Sequence, residues 1–128
     1  MNNPKPFLRY RPRTFKPPSW EEIEQHYVML SRSGWKVEKA IELIEHIKSS
    51  SLSQRLFGCT SHASLHITIY DSVEWGRETL IITIGSADAP TWDFTYFSQP
   101  FRKPTFKRTY PPDVVIEKFD NFIKMIGW

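Results

Sequence analysis

The sequence predicts an α+β domain in which helices cover one face of a small antiparallel sheet. Three observations support this fold class. Apolar and polar residues alternate in short stretches between residues 64 and 97, as strands with one buried face require. Two stretches with apolar residues at helical spacing precede them, and another follows. We therefore expect an N-terminal helical hairpin, a meander of three to four strands, and a C-terminal helix packed on one sheet face.

The strands of the meander are predicted at residues 64–70, 79–84 and 92–97. These stretches are rich in β-branched and aromatic side chains. The links between them are short, so consecutive strands pair most simply as antiparallel neighbours. Residues 55–59 are the candidate for a fourth strand.

The helices are predicted from their start signals and their apolar spacing. Ser19 precedes Glu22 by three residues, which is the capping-box signature at a helix start. A second helix is predicted from about Trp35 to Lys48, after a short break. The last helix is predicted to begin after Pro111 and Pro112, because proline is accepted in the first turn of a helix.

Positive charge is concentrated in two proline-rich segments, residues 1–18 and 99–112. Together they carry nine cationic side chains and no acidic one, whereas the rest of the chain carries eight basic and fourteen acidic side chains. We divide the chain into a basic arm, 1–18, and a single α+β domain, 19–128, within which 99–112 is expected to be a basic loop. The folded body is then acidic, and the two basic segments are set apart from it.

Several classes of protein are disfavoured by what the sequence lacks. The single cysteine, Cys59, excludes an internal disulfide and fits a reducing compartment. No stretch reaches the roughly 20 apolar residues of a membrane helix, and no signal-peptide core follows the basic N-terminus. The five glycines are isolated, so the common phosphate-binding loops are absent. We expect a cytoplasmic protein with no cofactor and no membrane contact.

Catalytic and metal-binding chemistry has few candidate residues. His62 and His66 have the HxxxH spacing, but along a strand this spacing separates two imidazoles by roughly 13 Å, so we expect no metal site. Cys59 with His62 or His66 would supply a nucleophile and a base. No sequence signature surrounds this cysteine, and a lone cysteine is more often a small buried hydrophobe. An enzyme using His66 and Asp93 is therefore only the third hypothesis, and we expect no catalytic residues.

Tryptophan and acidic side chains outline a candidate protein-binding surface, because exposed Trp dominates many protein interfaces. The predicted partner-binding residues are Trp35, Trp75, Trp92, Trp128, Glu38, Glu42 and Glu45. In size, acidic body and tryptophan content, the chain is similar to small bacterial immunity proteins, which neutralise a toxin by binding it. This similarity is one of composition and transfers no residue. Our first hypothesis is a non-enzymatic binding module that neutralises another protein by masking its surface.

Nucleic acid is the alternative partner. Cations alternate with aromatic side chains in residues 5–16 and 101–110, and this combination can neutralise phosphates and stack on bases. The candidate contacts are Arg9, Arg11, Arg13, Lys16, Arg102, Lys103, Lys107 and Arg108. No recognised nucleic-acid-binding motif accompanies them, and the acidic body would repel phosphate. The protein-binding hypothesis is therefore preferred.

Overall fold

The computed structural model describes residues 16–72, 77–84, 91–98 and 103–128. Within them the chain forms three helices and five strands, which confirms the predicted α+β class. In chain order they are α1 (Trp20–Arg32), α2 (Glu38–Lys48), β1 (Phe57–Ser61), β2 (Ser64–Thr68), β3 (Thr79–Ile84), β4 (Trp92–Phe97), β5 (Phe106–Tyr110) and α3 (Val115–Ile126). Short 3₁₀ turns at Ser51–Gln54 and Pro112–Val114 precede β1 and α3.

All five strands form one antiparallel sheet in the order of the chain. The prediction was three to four strands, and the further strand is β5, within the segment 99–112 that we expected to be a loop. Its pairing with β4 runs from Trp92↔Tyr110 to Tyr96↔Phe106. The cations in this segment do not show the alternation of a half-buried strand, so contacts with β4, rather than local pattern, decide its conformation.

The helices cover one face of the sheet, and the hydrophobic core lies between these two layers. The sheet contributes Leu65, Ile67, Leu80, Ile82 and Phe94, and the helices contribute Ile23, Tyr27, Leu43, Ile44, Ile47, Phe119, Phe122 and Ile123. Burial of apolar surface is worth about 25 cal/mol per Å², and it is the main force that holds the helices on the sheet. The predicted C-terminal helix on one sheet face is thereby confirmed.

The predicted helical hairpin is also confirmed, with a later start for its second helix. After α1 the chain turns at Gly34, whose φ of 98° lies in the left-handed region that glycine tolerates. Residues 35–37 are not helical, and α2 begins at Glu38 rather than at Trp35. Val37 is fully buried just before that start, so packing against the core fixes the point where the helix begins.

Two side chains of α1 fix the turn between β1 and β2. The Tyr27 hydroxyl donates a hydrogen bond of 3.0 Å to the carbonyl oxygen of Ala63. Burial raises the pKa of this phenol well above its usual value, so it remains a donor at neutral pH. His26 Nε2 lies 2.7 Å from the carbonyl oxygen of His62, whose φ is 55°. His62 therefore lies in a turn held by α1, whereas His66 lies on β2.

The capping box at the start of α1 is present as predicted and leads to a first test. Ser19 Oγ accepts a hydrogen bond from the Glu22 backbone N–H (3.1 Å), and the Glu22 carboxylate accepts one from the Ser19 backbone N–H (3.0 Å). We expect Ser19→Ala to lower the free energy of unfolding by about 1 kcal/mol in urea titrations, because one backbone donor loses its partner. Ser33→Ala, at the other end of the helix, is the control and should have a smaller effect.

The same variant should change how stability depends on pH. Hydrogen bonds from the backbone and side chain of Ser19 hold the pKa of Glu22 below its ordinary value of 4.5. A carboxyl group whose pKa is lower in the folded state stabilises that state at pH values above the ordinary pKa. This stabilisation is lost as the pH falls through the folded-state pKa. Ser19→Ala removes the hydrogen bond from the Ser19 side chain to Glu22. The variant should therefore lose less stability in acid than the unaltered protein. An unchanged acid profile would contradict this assignment.

Candidate functional site

Two large apolar side chains are exposed where the helical hairpin turns. Met29, near the end of α1, is 57% exposed, and Trp35, between the helices, is 50% exposed. They are two of the four large hydrophobic residues that are exposed within the described ranges. We use the name hairpin surface for Met29, Trp35, Glu38, Glu42 and Glu45. Single exposed hydrophobic residues are common, but two large exposed apolar side chains within seven residues, one of them an indole, are typical of interfaces.

The backbone of Trp35 is held on both sides although its side chain is half exposed. Its N–H donates to the carbonyl oxygen of Leu30 (3.0 Å), in the last turn of α1. Its own carbonyl oxygen accepts from the N–H of Val37 (3.1 Å), which is buried. The indole is therefore presented from a fixed backbone, which lowers the entropy that a partner must overcome to bind it.

The acidic residues of the hairpin surface lie along the outer side of α2. Glu38, Glu42 and Glu45 follow the spacing of one helix face and are exposed, whereas the residues on the opposite side are buried. The Glu38 carboxylate accepts hydrogen bonds from Ser31 Oγ (3.3 Å) and from the Val37 N–H (3.1 Å). The Glu38 carboxylate is thus held at the first turn of α2.

Glu42 forms an ion pair of 3.1 Å with Lys39 on the same helix. An exposed pair of this kind contributes little to stability, so it leaves the Glu42 charge available to a partner. Glu45 has no ion pair with any residue in the part of the chain that the structure describes. Three exposed acidic residues therefore form a row along α2 that begins three residues after Trp35.

The other predicted tryptophans do not lie on this surface. Trp92 is only 3% exposed, so the prediction that it is exposed on a partner-binding surface is wrong. It lies beside Ile84 on one side and Tyr110 of β5 on the other, and it packs in the core. Trp128 is partly buried, with its ring 5.8 Å from that of Tyr96. Trp75 lies outside the described residues.

The predicted nucleic-acid contacts divide between described and undescribed residues. Lys16, Lys103, Lys107 and Arg108 are exposed, and the others, Arg9, Arg11, Arg13 and Arg102, lie outside the described ranges. Lys16 lines an open cleft of about 910 Å³, together with Trp20, Phe57 and Asp71. The remaining three cations lie on β5 or just before it.

The sheet face away from the helices brings Cys59 and His66 together but does not activate them. The two residues are directly opposite on β1 and β2. Burial raises the pKa of the Cys59 thiol and lowers that of the His66 imidazole, so both groups are held neutral. An activated pair needs the reverse, a thiolate beside an imidazolium. Asp93 is on the same face, but its carboxylate accepts a hydrogen bond of 2.6 Å from Thr109.

No group of three or more His, Cys, Asp or Glu side chains that could hold a metal ion occurs among the described residues. One cluster that the sequence analysis missed is formed by Glu78 and two tyrosines. Tyr70 donates to one carboxylate oxygen of Glu78 (3.2 Å) and Tyr96 to the other (2.8 Å). Burial, with Glu78 beside it, raises the pKa of Tyr96 to about 12. These residues are far apart in sequence, so no local pattern indicates the cluster, and it joins the ends of β3 and β4.

Comparisons with known proteins give no family assignment. No protein-family model, no curated protein and no solved structure matches the chain. In the ranges described, none of the helices has the length and apolar character needed to cross a membrane.

Proposed function

We propose that this chain is a non-enzymatic protein-binding module whose hairpin surface binds and masks a basic surface of another protein. The observation that carries the proposal is the half-exposed indole of Trp35, held on a fixed backbone at the start of a row of carboxylates. Interfaces concentrate their binding energy in a few such aromatic side chains. The carboxylates would select a cationic partner and speed its association.

The two parts of the surface have different expected effects on binding. Burial of the exposed halves of Trp35 and Met29 would contribute affinity, so their removal should raise the dissociation rate. Glu38, Glu42 and Glu45 remain partly solvated at the edge of the contact, so their replacement should chiefly lower the association rate and its salt dependence. If the masked surface is the one with which the partner acts, binding neutralises it, as small immunity proteins do.

A non-enzymatic role is supported by the state of the best nucleophile candidate. Cys59 and His66 are both held neutral by burial, and no hydrogen bond joins their side chains within the described contacts. Asp93 is engaged by Thr109, on a different row of the sheet from His66. This arrangement offers no activated nucleophile and no poised base.

The test is site-specific photo-crosslinking with the full chain in its native host. A benzophenone amino acid is placed at position 36 in one variant, next to Trp35, whose indole stays in place, and at position 125 in another. Met125 is 63% exposed on α3, outside the hairpin surface, and so supplies the matched control position. We expect one partner to be captured from position 36 but not from position 125, with the crosslinked residue in a basic region of that partner.

Binding of the purified partner then tests the individual side chains. Met29→Ala and Trp35→Ala should each weaken binding at least about tenfold, and Glu42→Lys should slow association, whereas Met125→Ala should change neither. Thermal unfolding should be nearly unchanged in all four variants, since these side chains are exposed. Capture from both positions alike, an acidic crosslinked region, or equal effects of the two methionine variants would contradict the proposal.

A further inference from the structure

The β5 strand lies at an edge of the sheet. It pairs with β4 along one side, and no strand lies along its other side in the described part of the chain. An edge strand offers a row of unpaired backbone N–H and C=O groups, to which an extended segment can add as a further strand. β5 also has five consecutive residues in regular register with its neighbour, so its backbone is set in strand geometry.

The edge is strongly basic. Lys103, Lys107 and Arg108 are exposed, and none of them forms an ion pair with any residue in the ranges described. Successive residues of a strand point to opposite faces, so Lys107 and Arg108 place positive charge on both sides of the edge. Arg108 donates a hydrogen bond of 2.9 Å to the Lys107 carbonyl oxygen and lies 5.1 Å from the Phe106 ring centre.

A second copy of the chain does not fit this edge. Antiparallel pairing of two β5 strands would bring the cations at their centres opposite each other, and like charges directly opposite destabilise a sheet. Basic side chains on an edge strand are a known defence against such self-pairing. The occupant must therefore carry the opposite charge.

Nucleic acid also fits poorly, because the aromatic residues of β5 are not free to stack on bases. The Phe106 ring packs 4.9 Å from the ring of Phe122, and the Tyr110 ring packs edge-on at 5.1 Å from that of Phe94. Both partner rings belong to the core. Stacking of bases on aromatic side chains is a main source of affinity for single strands. The cations of β5 thus remain without the aromatic platform that the sequence pattern led us to expect.

We infer that β5 is a docking edge for an extended, acidic peptide segment of another protein, which adds to the sheet as a sixth strand. Backbone hydrogen bonds along the edge would set the register and direction of the added strand. Acidic residues on both of its faces would lie beside Lys107 and Arg108. This contact is separate from the hairpin surface, which lies on α1, α2 and the turn between them. The two proposals can therefore fail independently.

The test uses three labelled probes with the full chain. They are a peptide with a Glu–Glu–Val–Val repeat, which as a strand carries acidic side chains on both faces, the same peptide N-methylated at alternate residues, and a single-stranded oligonucleotide. Fluorescence anisotropy is measured at low and at physiological ionic strength, and chemical-shift changes locate the contact. We expect the acidic peptide to bind with shifts centred on residues 106–110. The N-methylated copy, which keeps the charge but cannot pair along its blocked side, should bind at least about tenfold more weakly.

Charge-reversal variants show whether peptide binding depends on the cations of β5 or on positive charge anywhere on the surface. The double variant Lys107→Glu with Arg108→Glu should lower affinity for the acidic peptide at least about tenfold, whereas Lys36→Glu, an exposed cation of the hairpin turn, should not. Thermal unfolding confirms that each variant remains folded. The inference is overturned by absence of peptide binding, by equal binding of the N-methylated copy, or by tighter binding of the oligonucleotide. If binding is absent and the double variant self-associates, the cations serve only to protect the edge.

Discussion

Replacement of Phe119 by alanine should lower the free energy of unfolding by about 3–5 kcal/mol, the largest single-residue effect that we expect in this domain. Phe119 is fully buried on the side of α3 that faces the core. Its removal loses the free energy gained by transferring the ring from water into the core. It also leaves a cavity, because a packed core closes only partly around a missing side chain. Urea titration followed by circular dichroism is the measurement.

The control for this prediction is Met125→Ala on the same helix. Met125 is exposed, so its replacement should change the free energy of unfolding by less than about 0.5 kcal/mol. Both variants keep a good helix former at the altered position, so the difference between them reports packing rather than helix propensity. Similar effects of the two variants would mean that α3 is not held on the sheet through Phe119.

The helices follow from local signals in the sequence, and for that reason they could be predicted. Hydrogen bonds between Ser19 and Glu22 span three residues, and the apolar stripe of each helix repeats every three to four residues. β5 has no comparable local signal. Its polar centre, flanked by prolines, resembles a loop, and only pairing with β4 makes it a strand.

The misplacement of Trp92 follows from the same missing strand. Trp92 starts the last strand that the sequence predicts, and with 99–112 taken as a loop no further strand was expected beside it. In the structure β4 is an inner strand, and Trp92 packs in the core with Tyr110 of β5 directly beside it. A residue's exposure thus depends on an element more than ten residues away in sequence.

The acidic row on α2 could be predicted, because helical spacing alone puts Glu38, Glu42 and Glu45 on one side. The exposure of Met29 and the cluster around Glu78 could not. The exposure of Met29 depends on which side of α1 packs against the sheet. Glu78 contacts Tyr70 and Tyr96 only once β2, β3 and β4 are paired. Features that a single element determines were accessible from sequence, and features that depend on the relative placement of elements were not.

The position of α1 on the sheet is predicted to depend on Gly58. A Cβ atom at this residue of β1 would lie 2.8 Å from the Trp20 ring and 3.2 Å from Cδ1 of Ile23, both on α1. The Trp20 ring cannot simply move aside, since its Nε1–H donates a hydrogen bond of 3.0 Å to the Leu56 carbonyl oxygen. We expect Gly58→Ala to lower the free energy of unfolding by about 1–3 kcal/mol through overpacking, measured in urea.

A double-mutant cycle distinguishes this steric contact from a general intolerance of side chains in β1. Trp20→Phe removes the ring atom nearest to the added Cβ, so Gly58→Ala should cost about 1 kcal/mol less in that background than alone. Additive effects would show that the two residues do not interact. Non-additive effects would show that α1 packs against β1 at Gly58, where the absence of a side chain allows the Trp20 indole to approach the backbone. Because Met29 lies near the far end of α1 and Trp35 in the turn that follows this helix, the same contact would then fix how the hairpin surface is presented to a partner.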